Sequence, residues 1–402
     1  MEKTVAEKYI PRSIEKTLKK AVKQFPSVIV TGPRQSGKTT LLKHVFGKKY
    51  TYVSMEKPDL RLMAEDDPDL FLQNYPPPVI IDEIQYTPGL FPYIKSIIDS
   101  NRSKPGQFLL TGSQIFPLMA GVSESLAGRI GVFTLLSFSC KEQFGDTFSL
   151  NINKLKKRIL LGGFPEIITS RNIDINLWFA GYMQTYLERD VRQVRNIGNL
   201  GDFQRFLELA AAINGQILNL SNLSQDLGVA VNTVKAWISI LEATGQIALV
   251  RPYFRNKGKR IIKSPKVYFL DTGLLCYLNG IGSVSQIFKG PFSGQFLEAS
   301  LLGEIMRSFH NKGMIPRVYW WRTSHGDEVD FIIERKGKLI PIEVKLSAKT
   351  DQRQIKGLRS FCDLFKDRIS KAYFVNLTEK ELKIGDKIFS IPFAGFITGV
   401  LQ

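Results

Sequence analysis

The chain has 402 residues, of which 44% are hydrophobic and 23% charged, so it is too long for one ordinary core and too apolar to be disordered; two to four domains are expected. A formal net charge of +18 directs attention to an acidic partner, nucleic acid before an anionic membrane surface, with a merely basic protein as the plain alternative. The three cysteines, Cys140, Cys276 and Cys362, lie far apart and in no C-x-x-C pattern, which excludes a disulfide framework and a cysteine-built zinc site and fits a reducing compartment. The first twenty residues are charged from the second onward and lack a signal-peptide core, and no apolar run reaches bilayer length, so a cytoplasmic protein without a membrane partner is expected.

In chain order, Ser13 to Phe25 carries a helical apolar stripe through Ile14, Leu18 and Val22, and Pro26 ends it. Val28 to Val30 is then an apolar strand running into Gly32-Pro33-Arg34-Gln35-Ser36-Gly37-Lys38-Thr39-Thr40, the spacing G-x-x-x-x-G-K-[ST] of a P-loop. The glycines let the backbone wrap a phosphate, and N–H groups together with the next helix's N-terminus face its charge. Lys38 is placed for the β- and γ-phosphates of ATP and Thr39 for Mg²⁺.

After a second strand at Tyr50 to Val53, Pro78 to Glu83 is an apolar strand ending in two acids, a Walker B pattern. Asp82 would orient Mg²⁺ at the sheet's C-terminal edge, and Glu83 would polarise the attacking water. A short helix at Leu90 to Ile98 precedes the strand Gln107 to Thr111, beyond which Thr111 or Ser113 is a candidate γ-phosphate sensor; turn chemistry is the alternative. Arg129 stands before the next strand, Ile130 to Leu136.

The segments GPRQSGKTTLL, VIIDEIQ, LLTGSQ and SLAGRI resemble a family of prokaryotic AAA-type ATPases with a C-terminal domain of unknown function. The resemblance implies ATP hydrolysis and an arginine-finger role for Arg129 on a neighbouring subunit's nucleotide, which requires a homo-oligomer; a local ion pair is the competing reading. GGFPE at Gly162 to Glu166 and TYLERDV at Thr185 to Val191 belong to the same resemblance without an assigned chemistry. Helical periodicity through Leu177, Tyr182, Phe203 and Leu207 reads as a lid, and Glu188 to Arg192 as a solvated helix face, with a nucleotide-sensing role as the alternative.

Leu220 to Gly228 and Ala230 to Gly245 form a helix-turn-helix pattern, with the strand Gln246 to Tyr253 and the basic turn Arg255 to Arg260 as its wing. Between Lys235 and Lys266 stand eight basic residues and one acid, Glu242, a pattern suited to DNA phosphates; Asn232, Thr233 and Lys235 are placed to reach the duplex, and docking of a protein partner stays open.

Finally, Glu328 to Glu334 and Leu339 to Lys345 read as a hairpin. Its expected register sets Glu334 opposite Leu339, Ile332 opposite Pro341, Asp330 opposite Glu343 and Glu328 opposite Lys345, with the charges on one face. Facing acids repel unless a cation sits between them, which suggests a divalent metal. Asp330 and Glu343-x-Lys345 resemble the PD-(D/E)XK nuclease-like fold, with Glu298 matching an acid from the preceding helix; the resemblance implies metal-assisted phosphodiester cleavage or a retained scaffold, and a solvated hairpin face is the plain alternative. No other chemistry is read in the tail beyond a closing strand at Ala372 to Val375.

The expected fold is therefore α/β: a P-loop parallel sheet at 1–150, a helical lid at 151–215, a winged helix-turn-helix at 216–272 and an α/β nuclease-like domain at 273–402. The expected activity is a Mg²⁺-dependent ATPase coupled to DNA binding, the alternatives being an ATP-gated endonuclease and a nucleotide-timed protein switch.

Overall fold

The computed structural model describes residues 9–113, 124–146, 148–170, 172–186, 200–254, 264–347 and 351–401. Strands β1 (Ser27–Thr31), β2 (Thr51–Ser54), β3 (Val79–Asp82), β4 (Phe108–Thr111) and β5 (Ile130–Thr134) form a parallel sheet in the order β2-β3-β4-β1-β5. Alternation along β1 explains its depth: Val28 and Val30 join one apolar layer with Leu18 and Leu41, whereas Ile29 joins Ile81 and Leu110 on the other face. Both faces are covered, as a parallel sheet requires. Every strand then ends at one edge, and that edge presents the P-loop, Asp82 and Thr111 together.

The first helix is shorter than its stripe predicts, Glu15–Ala21, because Val22 to Gln24 continue only as turns. Helices Ile152–Leu161, Pro165–Thr169 and Ile175–Tyr186 follow the first sheet. The charged stretch Glu188 to Arg192 and the basic turn Arg255 to Arg260 lie outside the described residues.

The division expected near residue 272 is not a break in the structure. Helices Leu200–Ala212, Leu220–Leu227 and Val231–Ala243 lead into an antiparallel hairpin of β6 (Ile247–Pro252) and β7 (Lys266–Phe269). That hairpin continues a larger sheet, because β6 pairs with β8 (Val318–Arg322) at Arg251↔Tyr319 and Pro252↔Trp320. With β9 (Glu328–Arg335), β10 (Lys338–Val344), β11 (Ala372–Asn376), β12 (Leu382–Lys383) and β13 (Ile388–Pro392), the order is β12-β13-β11-β10-β9-β8-β6-β7. A single apolar cluster from Leu136 to Leu401 unites the helices after the first sheet, the three helices before β6 and this larger sheet. The tail also adds more than one strand, since β13 pairs with β11 and the helix Phe393–Gly399 buries Phe393 and Phe396.

Buried polar ties fasten the two sheets. Arg307 donates to the Ser137 carbonyl at 2.9 Å and to the Leu270 carbonyl at 2.9 Å, while Asp271 accepts from Ser137 Oγ and the Gly163 amide, each at 2.9 Å. These bonds satisfy groups that would each cost about 1–3 kcal/mol if buried without a partner.

Candidate functional site

Gly37 caps the helix Lys38–Phe46 in the left-handed region, φ +89°, where a side chain would be strained. Gly32 is equally constrained by space: a Cβ there would collide with the Leu135 carbonyl oxygen. The loop between them is held from outside by a residue the sequence reading passed over. Arg12 donates to the Ser36 carbonyl at 2.8 Å and the Leu136 carbonyl at 2.6 Å, and pairs with Glu142 at 3.2 Å. Its signal was weak, one arginine among many basic residues near the N-terminus.

Lys38 Nζ donates to the Gly32 and Pro33 carbonyls at 3.1 and 2.8 Å. Thr39 Oγ1 donates to Asp82 Oδ1 at 2.8 Å, joining the P-loop to the Walker B strand. Asp82 is also gripped by Tyr52 Oη at 2.9 Å and Thr111 Oγ1 at 2.5 Å. Glu83 sits at φ +55°, uncommon for a residue with a side chain, and its amide donates to Thr111 Oγ1 at 2.9 Å. Its carboxylate accepts from Ser113 Oγ at 3.1 Å and from Gln85 Nε2. Thr111 and Ser113 thus orient the two acids, a more specific role than turn chemistry.

These groups open on a cleft of about 720 Å³. Arg34, Gln35, Gly37, Lys38, Thr39, Thr40 and Glu83 line it from the first sheet's edge, Tyr9, Ile10 and Arg12 from the N-terminal segment, and Pro165, Glu166, Thr169, Tyr182 and Thr185 from the helices that follow the sheet. The GGFPE and TYLERDV segments therefore reach the cleft through Pro165, Glu166 and Thr185. Tyr182, read in the sequence only as a helical apolar position, stacks on Trp178 at 5.3 Å, and Trp178 Nε1 donates to Glu166 at 2.9 Å.

The residues fit a magnesium nucleotide. Ser36 Oγ is buried within the loop with no hydrogen-bond partner among the described residues, and the Thr39–Asp82 contact supplies a hydroxyl and a carboxylate, the hard oxygen donors that Mg²⁺ takes. Arg129 lies outside the cleft lining. Its guanidinium forms a forked pair with Asp99, Nε to Oδ1 at 2.7 Å and Nη2 to Oδ2 at 2.9 Å.

The second candidate site assembles in β7, β9, β10 and the helix Ser293–Asn311. The hairpin register is as expected at Leu339↔Glu334 and Pro341↔Ile332, and its recorded pairing ends at Ile342↔Phe331. Asp330 accepts from the Val344 amide at 2.8 Å, and Lys345 bridges Glu343 at 2.6 Å and Asp330 at 3.5 Å. Glu298 accepts from Tyr268 Oη at 3.0 Å.

One expectation is corrected here: Glu328 does not face Lys345. It pairs with Arg322 across β8 and with Lys266 Nζ, while the Lys345 amide turns to the Val375 carbonyl at 3.0 Å. Lys266 therefore leaves the basic surface to which its position seemed to assign it; it is buried beneath Trp320 and among acids. Burial, reinforced by Asp330, pushes Glu298 and Glu343 up to about 8. Among the described residues no group of three acidic, histidine or cysteine side chains is arranged to hold a metal ion.

On the remaining candidate interface, Asn232 and Lys235 are exposed and Thr233 half-buried at the start of the helix Val231–Ala243.

Residues 24–144 match an AAA domain, and residues 152–285 and 293–396 match two domains of unknown function, DUF8612 and DUF4143. Over 387 residues the chain is 31% identical to the uncharacterized protein Rv2008c of Mycobacterium tuberculosis and to Mb2031c of Mycobacterium bovis, covering 95% of this chain and 83% of each relative. The chain belongs to their family. It thus carries the AAA domain ahead of a long second region, and the match at 152–285 crosses the 215/216 boundary expected between lid and helix-turn-helix. More distant likenesses are to the Walker-type ATPase PABY2304 of Pyrococcus abyssi, with TM-score 0.41 and 15% identity over 69% of this chain and 98% of that one, and to a point variant of RuvB from Thermotoga maritima, with TM-score 0.30 and 19% identity over 59% and 88%. Among the described residues no helix is long and apolar enough to cross a membrane.

Proposed function

We propose that the chain binds ATP with Mg²⁺ in the P-loop cleft, hydrolyses it to ADP and phosphate, and couples that cycle to DNA held at the helix-turn-helix. The observation that carries the reading is the contact between Thr39 and Asp82, 2.8 Å apart, beside the buried hydroxyl of Ser36, which has no partner among the described residues. Lys38 supplies positive charge to the β- and γ-phosphates, and the loop amides together with Ser36 donate to phosphate oxygens. Thr39 and Asp82 would hold Mg²⁺, which would supply charge screening for the transferred phosphoryl oxygens. Glu83 orients a water and accepts its proton as the oxygen attacks the γ-phosphorus and the bond to ADP breaks. Ser113 and Gln85 fix the carboxylate that does so.

The exposed Asn232 and Lys235 and the net charge of +18 support DNA as the partner of the second helix, in a cytoplasmic setting. For the C-terminal pocket, the contacts of Lys345 with Asp330 and Glu343 and of Lys266 with Glu328 support a nuclease-derived scaffold rather than a cleaving centre, since the two lysines occupy oxygens of those three acids.

The deciding experiment measures phosphate release with and without duplex DNA across salt concentrations. DNA stimulation that fades steeply as salt rises is expected. Hydrolysis indifferent to DNA at low salt would favour a protein partner at the same helix, and no hydrolysis in any condition would remove the enzyme reading.

A further inference from the structure

The helix Val231–Ala243 ends against the nucleotide cleft. Gly245, at φ +70°, sits so close to the P-loop that a Cβ on it would stand 3.2 Å from both Cγ and Cδ of Pro33. The next residue, Gln246, is buried and donates through Nε2 to Tyr182 Oη at 2.8 Å. Its own backbone is fixed at both ends, the amide on the Leu241 carbonyl at 2.9 Å and the carbonyl taking the Leu270 amide at 2.9 Å.

We infer that Gly245 and Gln246 are positioning residues of the nucleotide site, supplied from outside the AAA domain: Gly245 backs the P-loop at Pro33, and Gln246 sets the cleft wall through Tyr182. The inference rests on the cleft being the nucleotide site. Pro33 stands between Gly32 and the cleft-lining Arg34 in the phosphate loop and Tyr182 lines the cleft, so one turn touches both the loop and the helix that carries Tyr182. Both residues act through a neighbour. The same turn follows the helix that carries the exposed Asn232 and Lys235 in its first turns, so it also connects the proposed DNA face to the cleft.

A side-chain amide held on a locked backbone is an effective way to fix a tyrosine, because the donor cannot follow if the ring moves. Replacing Gln246 by leucine keeps similar bulk and leaves the Tyr182 hydroxyl without this donor. Replacing Tyr182 by phenylalanine removes the acceptor while keeping the ring stacked on Trp178.

The test is nucleotide affinity, read with a fluorescent ATP analogue and Mg²⁺ on the full chain, for wild type, Gln246→Leu, Tyr182→Phe and the double variant, with thermal unfolding of each in parallel. Each single substitution is expected to weaken binding roughly tenfold, and the double variant no more than Tyr182→Phe alone, because both remove the hydrogen bond between Gln246 and Tyr182. Additive losses, or losses in unfolding temperature with unchanged affinity, overturn the inference. Gly245→Ala separates the second contact from backbone strain: its loss of affinity should be recovered in part when Pro33→Ala removes the atoms it strikes, whereas strain at φ +70° alone would give no recovery and would overturn the role of the Pro33 contact. A wild-type chain that binds no analogue refutes the nucleotide reading instead, so the two failures are distinguishable.

Discussion

Tyr52 Oη donates to Asp82 Oδ2 across 2.9 Å, so the acid that ends β3 is oriented by a side chain of the neighbouring strand β2 as well as by Thr39 and Thr111. Burial first, then the charge of Asp82, pushes the phenol up to about 12, and Tyr52 therefore stays protonated as a donor at any physiological pH. Residues that orient a metal-holding carboxylate commonly contribute about 10–100-fold in metal affinity. Tyr52→Phe is accordingly expected to raise the Mg²⁺ concentration needed for half-maximal hydrolysis by about tenfold while leaving metal-free nucleotide binding alone. Magnesium titrations of phosphate release check this; an unchanged titration would show that Thr39 and Thr111 suffice.

Arg129 and Asp99 form a forked but exposed ion pair at the edge of the first sheet. Arg129→Ala and Asp99→Ala should therefore produce the same small shift in unfolding temperature, and both should keep hydrolysis within about twofold of wild type, as surface pairs contribute little. A loss of roughly a thousandfold confined to Arg129→Ala would instead assign the side chain to a neighbouring subunit's nucleotide. Steady-state rates at several protein concentrations distinguish the two.

The acidic pocket gives a pH signature. Burial raises Glu298 and Glu343 to about 8, against the ordinary value near about 4.3 for an exposed glutamate, even though Lys345 pulls both down and Lys266 also pulls on Glu298. Between those values the folded chain binds protons that the unfolded chain releases. Stability is then fully present below the ordinary range, falls as pH rises toward about 8, and levels off above it. Urea midpoints measured from about pH 5 to about pH 9 should decline, and Glu343→Gln should flatten part of the decline. A midpoint that climbs with pH through this window would contradict the protonated state of the pair.

Local spacing made the P-loop, the Walker B strand and the register at Glu334 and Leu339 readable, since each depends on neighbours a few residues apart or on the fixed period of a strand. What escaped depends on long-range pairing. Nothing near Arg251 announces that β6 will meet β8 far along the chain, and without that pairing Lys266 reads as part of a basic wing rather than as the buried partner of Glu328. Arg12 and Gln246 were equally hidden, because their meaning lies in the Ser36 carbonyl and in the Tyr182 hydroxyl, not in any motif around them. The sequence singles out Glu83 only by its place after Asp82; the bonds that Ser113 and Gln85 make to its carboxylate are visible only in three dimensions.

The central claim is hydrolysis assisted by Glu83, and single-turnover phosphate release by Glu83→Gln against wild type, at saturating ATP and Mg²⁺, tests it most directly. The amide retains size and hydrogen bonding but cannot accept the water's proton, so the rate should fall by about 10²–10⁴ while nucleotide affinity stays within about twofold. Equal rates for the two proteins would contradict the account.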